Sequence, residues 1–302
     1  MSFLITEVQR FCMHDGDGVR TTVFVKGCSL RCLWCHNPEA ISANNDFFYD
    51  EAKCISCGWC IDQCTANAHR TENDIHVLHR ELCIRCGACF HGCVAGAITP
   101  VAREMEPEEI MKAVKADIPF YGETGGVTLS GGEPLFDTEK TVSFLTAIKK
   151  EGISTCVETC GMFDGRIIPK LQRCCDLLFY DIKDTDPVRL FQNTGGDLTK
   201  ILANLQRADE AGIPTVLRLI VLNGINNNKA HAARIAEIYK DLKHCRYAEL
   251  LPYHPYGDAK RDRLGLTPQG KQDWIPSKEA ILCFAEMLKK AQVPVKIEGS
   301  ML

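Results

Sequence analysis

No stretch of this sequence approaches the roughly 18 consecutive apolar residues that a membrane-spanning helix needs, so no membrane span is expected. Basic charge is not in excess either. Lys and Arg number 35 against 39 Asp and Glu, and the net charge of −4 argues against a nucleic-acid binder. The first residues, MSFLITEVQRF, lack the basic flank and long apolar core of a secretion leader, so the chain is expected in the cytoplasm. Composition is otherwise ordinary, 45% hydrophobic and 25% charged. The 302 residues suffice for one large α/β domain with a small second unit.

What the sequence has in excess is cysteine, 18 in all. In a cytoplasmic chain that points to metal or redox chemistry rather than disulfides. Eleven of the 18 fall between positions 28 and 93, a bunching that structural cysteines would not show.

Apolar, β-rich runs recur along the chain: TTVFVKG (Thr21–Gly27), GVTLSGG (Gly126–Gly132), STCVETCG (Ser154–Gly161), LLFYDIK (Leu177–Lys183), PTVLRLIVLNG (Pro214–Gly224) and AELLPYH (Ala248–His254). Helical patterns lie between them, as in Phe136–Gly152 with Val142, Leu145 and Ile148, in Leu198–Gly212 and in His231–His244. Such alternation predicts a parallel sheet with helices packed outside it. About six units suggest a barrel or part of one, with a doubly wound sheet as the alternative. Catalytic groups then belong at the C-terminal ends of the strands.

From about Asp50 to Ala102 the alternation breaks, and the same cysteine run occurs twice. CISCGWCIDQC holds Cys54, Cys57, Cys60 and Cys64; CIRCGACFHGC holds Cys83, Cys86, Cys89 and Cys93. Each is C-x2-C-x2-C-x3-C, the bacterial ferredoxin ligand run, in which the fourth cysteine ligates the other cluster. The expected sets are Cys54, Cys57, Cys60 and Cys93 for one four-iron cluster, and Cys83, Cys86, Cys89 and Cys64 for the other. Two zinc sites, or simply reduced thiols, are the bland alternative. Thr65 and Val94 stand where a proline usually follows the fourth cysteine, which affects loop stiffness rather than ligation.

A third cysteine motif is incomplete. GCSLRCLWCHNPEA places Cys28, Cys32 and Cys35 within eight residues, after the first strand, with no fourth ligand close by. A closed zinc site would need one, for which His36 and Cys12 are candidates. The other reading is a four-iron cluster with one iron left open.

The C-x3-C-x2-C spacing with Trp34 before the last cysteine resembles the radical S-adenosylmethionine (SAM) superfamily. In that family the amino and carboxylate groups of SAM chelate the open iron. SGGEP (Ser130–Pro134) after the second strand agrees. HDGDGVRTTVF (His14–Phe24), GCxxxCxWCHNPE, YDIK (Tyr180–Lys183) and LLPYH (Leu250–His254) are similar to activating enzymes of glycyl radical enzymes, over nearly the whole chain. The resemblance implies a partial (β/α)6 TIM-type barrel over residues 1–49 and 103–302. It also implies an inserted ferredoxin-like domain with two [4Fe-4S] clusters over 50–102. A third [4Fe-4S] cluster, SAM, a glycyl radical enzyme as protein substrate, and flavodoxin or ferredoxin as electron donor follow from it. Residue roles are implied too. Trp34 and His36 would flank Cys35 near the adenine, and Gly131, Gly132 and Glu133 would stand by the methionine part. Asp181, Ile182 and Lys183 would line the cofactor, with Arg218 in the next strand and His254 closing the pocket. Asp15 would lie near the site. Glu158 and Thr159 match a pair that helps hold a monovalent cation. That pair is usually Asp-Thr, and Cys160 stands in place of an asparagine.

Plainer readings stand beside these. Asp181 and Lys183 could be a surface ion pair, although positions i and i+2 of a strand share a face. Arg218, among apolar neighbours, needs an acidic partner: the SAM carboxylate or a strand-end acid. Cys12, Cys156, Cys160, Cys174, Cys175, Cys245 and Cys283 read as small buried hydrophobes. His254–Gly265 reads as a solvated loop. Two rival functions remain: a radical SAM enzyme acting on a small molecule, and an electron-transfer iron–sulfur protein.

Overall fold

A computed structural model describes residues 2–73 and 75–298. Strands β1 (Phe3–Cys12) and β2 (Arg20–Val25) form an antiparallel pair. Four short strands follow: β3 (Phe47–Tyr49), β4 (His69–Glu72), β5 (Ile75–Leu78) and β6 (Ile98–Pro100). Then come β7 (Arg103–Met105), β8 (Gly126–Gly131), β9 (Ser154–Thr159), β10 (Leu177–Asp181), β11 (Thr215–Val221), β12 (Cys245–Pro252) and β13 (Val295–Ile297).

The main sheet has nine strands in the order β13-β12-β11-β10-β9-β8-β2-β1-β7. From β2 through β8 to β13 every pairing is parallel, and each new strand adds on the same side. A doubly wound sheet reverses direction at a switch point; this one never does, so the winding is that of a barrel. Among the described residues β7 and β13 are the two edges and do not pair, which leaves the barrel open.

The parallel strands are built from β-branched and apolar residues because both faces are covered; all seven residues of β11 are buried. The expected helices are present. Val142, Leu145 and Ile148 form the buried stripe of the helix Thr138–Lys150, whose first turn is capped by Asp137. Asp197, Asn228 and Ser277 cap Leu198–Glu210, Lys229–Asp241 and Lys278–Lys290. One expectation fails. Residues 257–263 of the supposed solvated loop are a helix, and Arg261 within it is buried, donating to the Cys32 carbonyl at 3.1 Å. Its alternation of charges is that of a helix with one face turned inward.

Residues 47–100 form no part of the main sheet. β3 and β6 pair antiparallel at the base, and β4 and β5 make a hairpin. The sequence repeat is also a backbone repeat. Ser56 and Arg85 have φ of 52° and 55°, Gly58 and Gly87 have 80° and 82°, and Asn67 and Gly96 have 52° and 61°. Glycine relieves the left-handed strain at three of these six positions.

Candidate functional site

The C-terminal ends of the strands converge on a cavity of about 270 Å³. Ser130 and Gly131 reach it from β8, Glu158 from β9, Asp181 from β10, Arg218 and Ile220 from β11, and Leu251 from β12. One cavity touched by five consecutive strands requires the sheet to curl around it.

Cys28, Cys32 and Cys35 all line this cavity, with Trp34, His36 and Asn37 of the same loop. Two helices hold the loop. Arg31 and Leu33 donate to the carbonyls of Thr194 and Asn193 at 2.9 and 3.0 Å. On the other side Gly257 packs so closely that a Cβ there would lie 2.1 Å from the Cys35 carbonyl oxygen. Burial pushes the Cys35 thiol up to about 11 and Cys32 higher still, so at neutral pH a bound cation is needed to make both thiolates. Cys28 differs: hydrogen bonding from the Cys160 thiol lowers it.

Gly131 and Gly132 line the cavity but serve the cysteine loop first. Gly131 has φ +105°, and a Cβ on Gly132 would fall 2.3 Å from the Gly27 carbonyl oxygen. The Gly132 and Glu133 N–H groups donate to the Val25 and Gly27 carbonyls at 2.8 and 2.7 Å. Glu133 itself is buried behind the wall. Its carboxylate accepts from Leu135 N–H, the Thr159 hydroxyl and Cys160 N–H at 3.0, 2.8 and 2.7 Å. Thr159 and Ile182 are likewise buried and absent from the cavity lining. Of the cofactor-binding residues read from the sequence, Trp34, Cys35, His36, Gly131, Gly132, Glu158, Asp181, Lys183, Arg218 and His254 meet at the cavity; Glu133, Thr159 and Ile182 support it from outside.

The floor is charged. Arg218 pairs with Glu158 and with Glu249, the latter at 2.8 Å, and lies 3.8 Å from the Phe179 ring centroid. Its Nη2 donates to the His14 carbonyl at 2.7 Å, tying β11 to the loop after β1. Burial disfavours the Arg218 charge, but the two carboxylates outweigh it and hold its pKa above the usual value. Burial raises Glu158, against the pull of Arg218. Glu158 also accepts from the Ser130 hydroxyl. Asp181 and Lys183 form an ion pair at 3.0 Å inside the cavity rather than on an outer surface.

One wall is aromatic. His36 stacks on His254 with centroids 3.8 Å apart, and His254 lies 4.0 Å from Tyr256. Burial lowers His36 to about 4, so the ring is neutral. Trp34 Nε1, His36 Nε2 and His254 Nδ1 are buried without a partner among the described residues. Unmet polar atoms on a cavity wall favour a ligand that bonds to them.

Two further residues adjoin this site, and of these Glu249 carries no signal in the sequence pattern. Cys160 is buried among hydrophobic residues, as expected, and it also lines the cavity and bonds to Cys28. Its place one residue beyond β9, level with Glu158, was the available signal. Cys283, also expected to be buried, is exposed. Glu158, near the end of β9, is the strand-end acid that Arg218 requires, and Glu249 in mid-β12 is a second partner set opposite it by the β11–β12 register. Cys12 is not in the cavity lining. Asp15 accepts from the Thr22 hydroxyl at 2.6 Å, and the buried Arg20 pins the same loop to Thr128 and the Val127 carbonyl.

In the inserted region Cys54, Cys57, Cys60 and Cys93 line one cavity of about 230 Å³. Cys64, Cys83, Cys86 and Cys89 line another of about 20 Å³. Each quartet takes its fourth member from the opposite repeat.

Residues 22–235 match the radical SAM superfamily. The chain belongs to that superfamily and, within it, to the activating enzymes of glycyl radical enzymes. It is 38% identical over 270 residues to a choline trimethylamine-lyase activating enzyme of Oleidesulfovibrio alaskensis, covering 87% of each chain. It is 35% identical to the benzylsuccinate synthase activating enzyme of Thauera aromatica, covering 98% of this chain and 92% of that one. A radical SAM methyltransferase of Sphaerobacter thermophilus superposes with a TM-score of 0.52 at 18% identity, over 92% of this chain and 66% of the other, and shares the fold. As a glycyl radical enzyme activating enzyme, the protein takes a glycyl radical enzyme as its partner, and its family implies a [4Fe-4S] cluster and SAM. No helix of the described residues is long and apolar enough to cross a membrane.

Proposed function

We propose that Cys28, Cys32 and Cys35 hold a [4Fe-4S] cluster whose fourth iron faces the cavity, and that SAM fills the cavity beside it. The observation that carries this is three thiols, Cys32 buried and Cys28 and Cys35 half-buried, lining a space whose other walls offer unpartnered polar atoms and fixed charges. When bound, the cluster supplies the electron that cleaves SAM to methionine and a 5′-deoxyadenosyl radical, which takes the α-hydrogen of one glycine in the partner enzyme.

The chain's residues bind, orient and shield. Trp34, His36 and His254 offer apolar ring faces with polar edges, which suits an adenine. Lys183 and Arg218 offer cationic groups for the SAM carboxylate, each already held by an acid. Glu158 and Thr159 stand adjacent at the end of β9, where a monovalent cation would screen that carboxylate. Glu158 is committed to Arg218 and Ser130, and Thr159 to Glu133, so a cation must compete with both. The unpaired edges of the sheet leave the barrel open for a protein loop carrying the glycine.

For residues 50–102 the reading is a ferredoxin-type domain with two [4Fe-4S] clusters in crossed pairing. It is supported by the two cysteine quartets and by the repeated backbone turns. Cys83 also lines a cavity shared with Lys26 and Ile41 of the barrel. Flavodoxin or ferredoxin would deliver electrons to this domain, and a chain with 18 free cysteines suits the cytoplasm.

The test is anaerobic reconstitution with SAM, a reductant and a cognate glycyl radical enzyme. The partner's glycyl radical should appear by electron paramagnetic resonance, and Cys35→Ala should give none. A radical of equal size from Cys35→Ala would overturn the assignment.

A further inference from the structure

Two buried histidines lie between the cysteine quartets. His69 opens β4 and His76 lies on β5, 3% and 5% exposed. Their rings stack with centroids 5.1 Å apart and planes 17° from parallel. His69 Nδ1 stands 2.9 Å from His76 Nε2. His76 lines the cavity of Cys54, Cys57, Cys60 and Cys93, while His69 lines that of the other quartet.

His76 meets the first quartet on both edges of its ring. Nε2 is 3.4 Å from Cys60 Sγ, and Nδ1 is 3.7 Å from Cys54 Sγ and 2.8 Å from the Tyr49 hydroxyl. No comparable ring-nitrogen contact to Cys64, Cys83, Cys86 or Cys89 occurs among the described residues. Sulfur atoms there receive backbone N–H groups, such as Ala68 to Cys64 at 3.2 Å and Arg85 to Cys83 at 3.3 Å.

Resting on the two-cluster reading above, we infer that His76, backed by His69, donates an N–H to a thiolate ligand of the Cys54–Cys57–Cys60–Cys93 cluster and raises its reduction potential. Iron-bound thiolates accept hydrogen bonds and cannot donate them. A neutral imidazole carries one N–H. With the proton on Nε2, the Tyr49 hydroxyl donates to Nδ1 and the N–H faces Cys60. With it on Nδ1, His69 donates to Nε2 and the N–H faces Cys54. On either nitrogen the proton lies within reach of a ligand of the same cluster, shared with a nearer partner: His69 Nδ1 at 2.9 Å beside Cys60, or the Tyr49 hydroxyl at 2.8 Å beside Cys54. Hydrogen bonds to ligand sulfur stabilise the more negative, reduced state. His76 touches the ligands; His69 is a positioning residue that holds the ring in place.

The test uses the full chain, reconstituted anaerobically, with iron measured before redox titration by electron paramagnetic resonance. His76→Phe keeps a ring of similar size and removes the N–H. One ferredoxin-type wave should move to more negative potential and the other should stay. His76→Gln, whose amide donates, should recover part of the shift. Wild-type protein labelled with ¹⁵N-histidine should also show a nitrogen coupling to a reduced cluster that SAM does not alter. That measurement decides the matter if His76→Phe fails to assemble. Unchanged waves in a fully loaded His76→Phe, or no SAM-insensitive coupling in wild type, overturns the inference. Wild-type iron short of the about twelve atoms for three four-iron clusters would instead overturn the two-cluster reading, and this inference with it.

Discussion

The Glu133 carboxylate accepts the backbone N–H of Cys160 at 2.7 Å, fastening the loop after β8 to the turn after β9. Glu133 lies directly after the glycines that touch the cysteine loop. Cys160 bonds to Cys28. One buried acid thus links three segments of the cavity wall, without facing the cavity.

Glu133→Gln places an amide N–H against the Cys160 N–H and should cost about 2 kcal/mol in urea unfolding. SAM affinity should fall along with stability. Lost affinity at full stability would mean that Glu133 touches SAM itself.

Gly132→Ala should act on the cysteine loop, because its Cβ would fall 2.3 Å from the Gly27 carbonyl oxygen. We expect iron to fall by about four atoms per chain, the content of one cluster, with the inserted clusters retained. Normal iron and normal SAM binding in this variant would show that the loop yields without harm.

Crossed pairing in the inserted region predicts which single variants resemble each other. Cys64→Ala and Cys83→Ala should lose the same cluster by spectroscopy, and Cys93→Ala and Cys54→Ala the other. Cys64→Ala matching Cys54→Ala would establish sequential pairing.

The strands of the barrel were readable because each is a β-branched, apolar run ending in a turn residue. The strand β1, FLITEVQRFC, was not, because an antiparallel strand with exposed Glu7, Gln9 and Arg10 carries no such run. The strands β3 to β7 and β13 have three or four residues each, too few for any periodicity. At the site, spacing revealed Cys28, Cys32 and Cys35, while motif likeness pointed to Asp181, Lys183 and His254. Whether a side chain faces the cavity or braces it from behind depends on tertiary packing. Glu133 and Thr159 therefore brace the wall from behind, which their place in the motifs does not reveal.

His231 gives a pH dependence away from the metal-binding cysteines. It is buried against Phe284, with Nδ1 2.7 Å from the Thr185 hydroxyl, and burial lowers it to about 4. The unfolded chain, with histidine near about 6.5, therefore binds the proton first, and stability falls as pH drops. From about pH 7 to about pH 5 this one group should remove about 2 kcal/mol, and His231→Phe should lose that slope in urea unfolding. An identical slope in wild type and variant would place the titration elsewhere.

The most direct measurement is iron and SAM cleavage in the Cys28→Ala, Cys32→Ala, Cys35→Ala triple variant after anaerobic reconstitution. Wild type should hold about twelve iron atoms per chain in three four-iron clusters, and the triple variant about eight. SAM cleavage to methionine and 5′-deoxyadenosine should vanish in the variant, while the signals of the inserted clusters persist. A triple variant that retained all its iron, or still cleaved SAM, would contradict the assignment of the radical chemistry to these three cysteines.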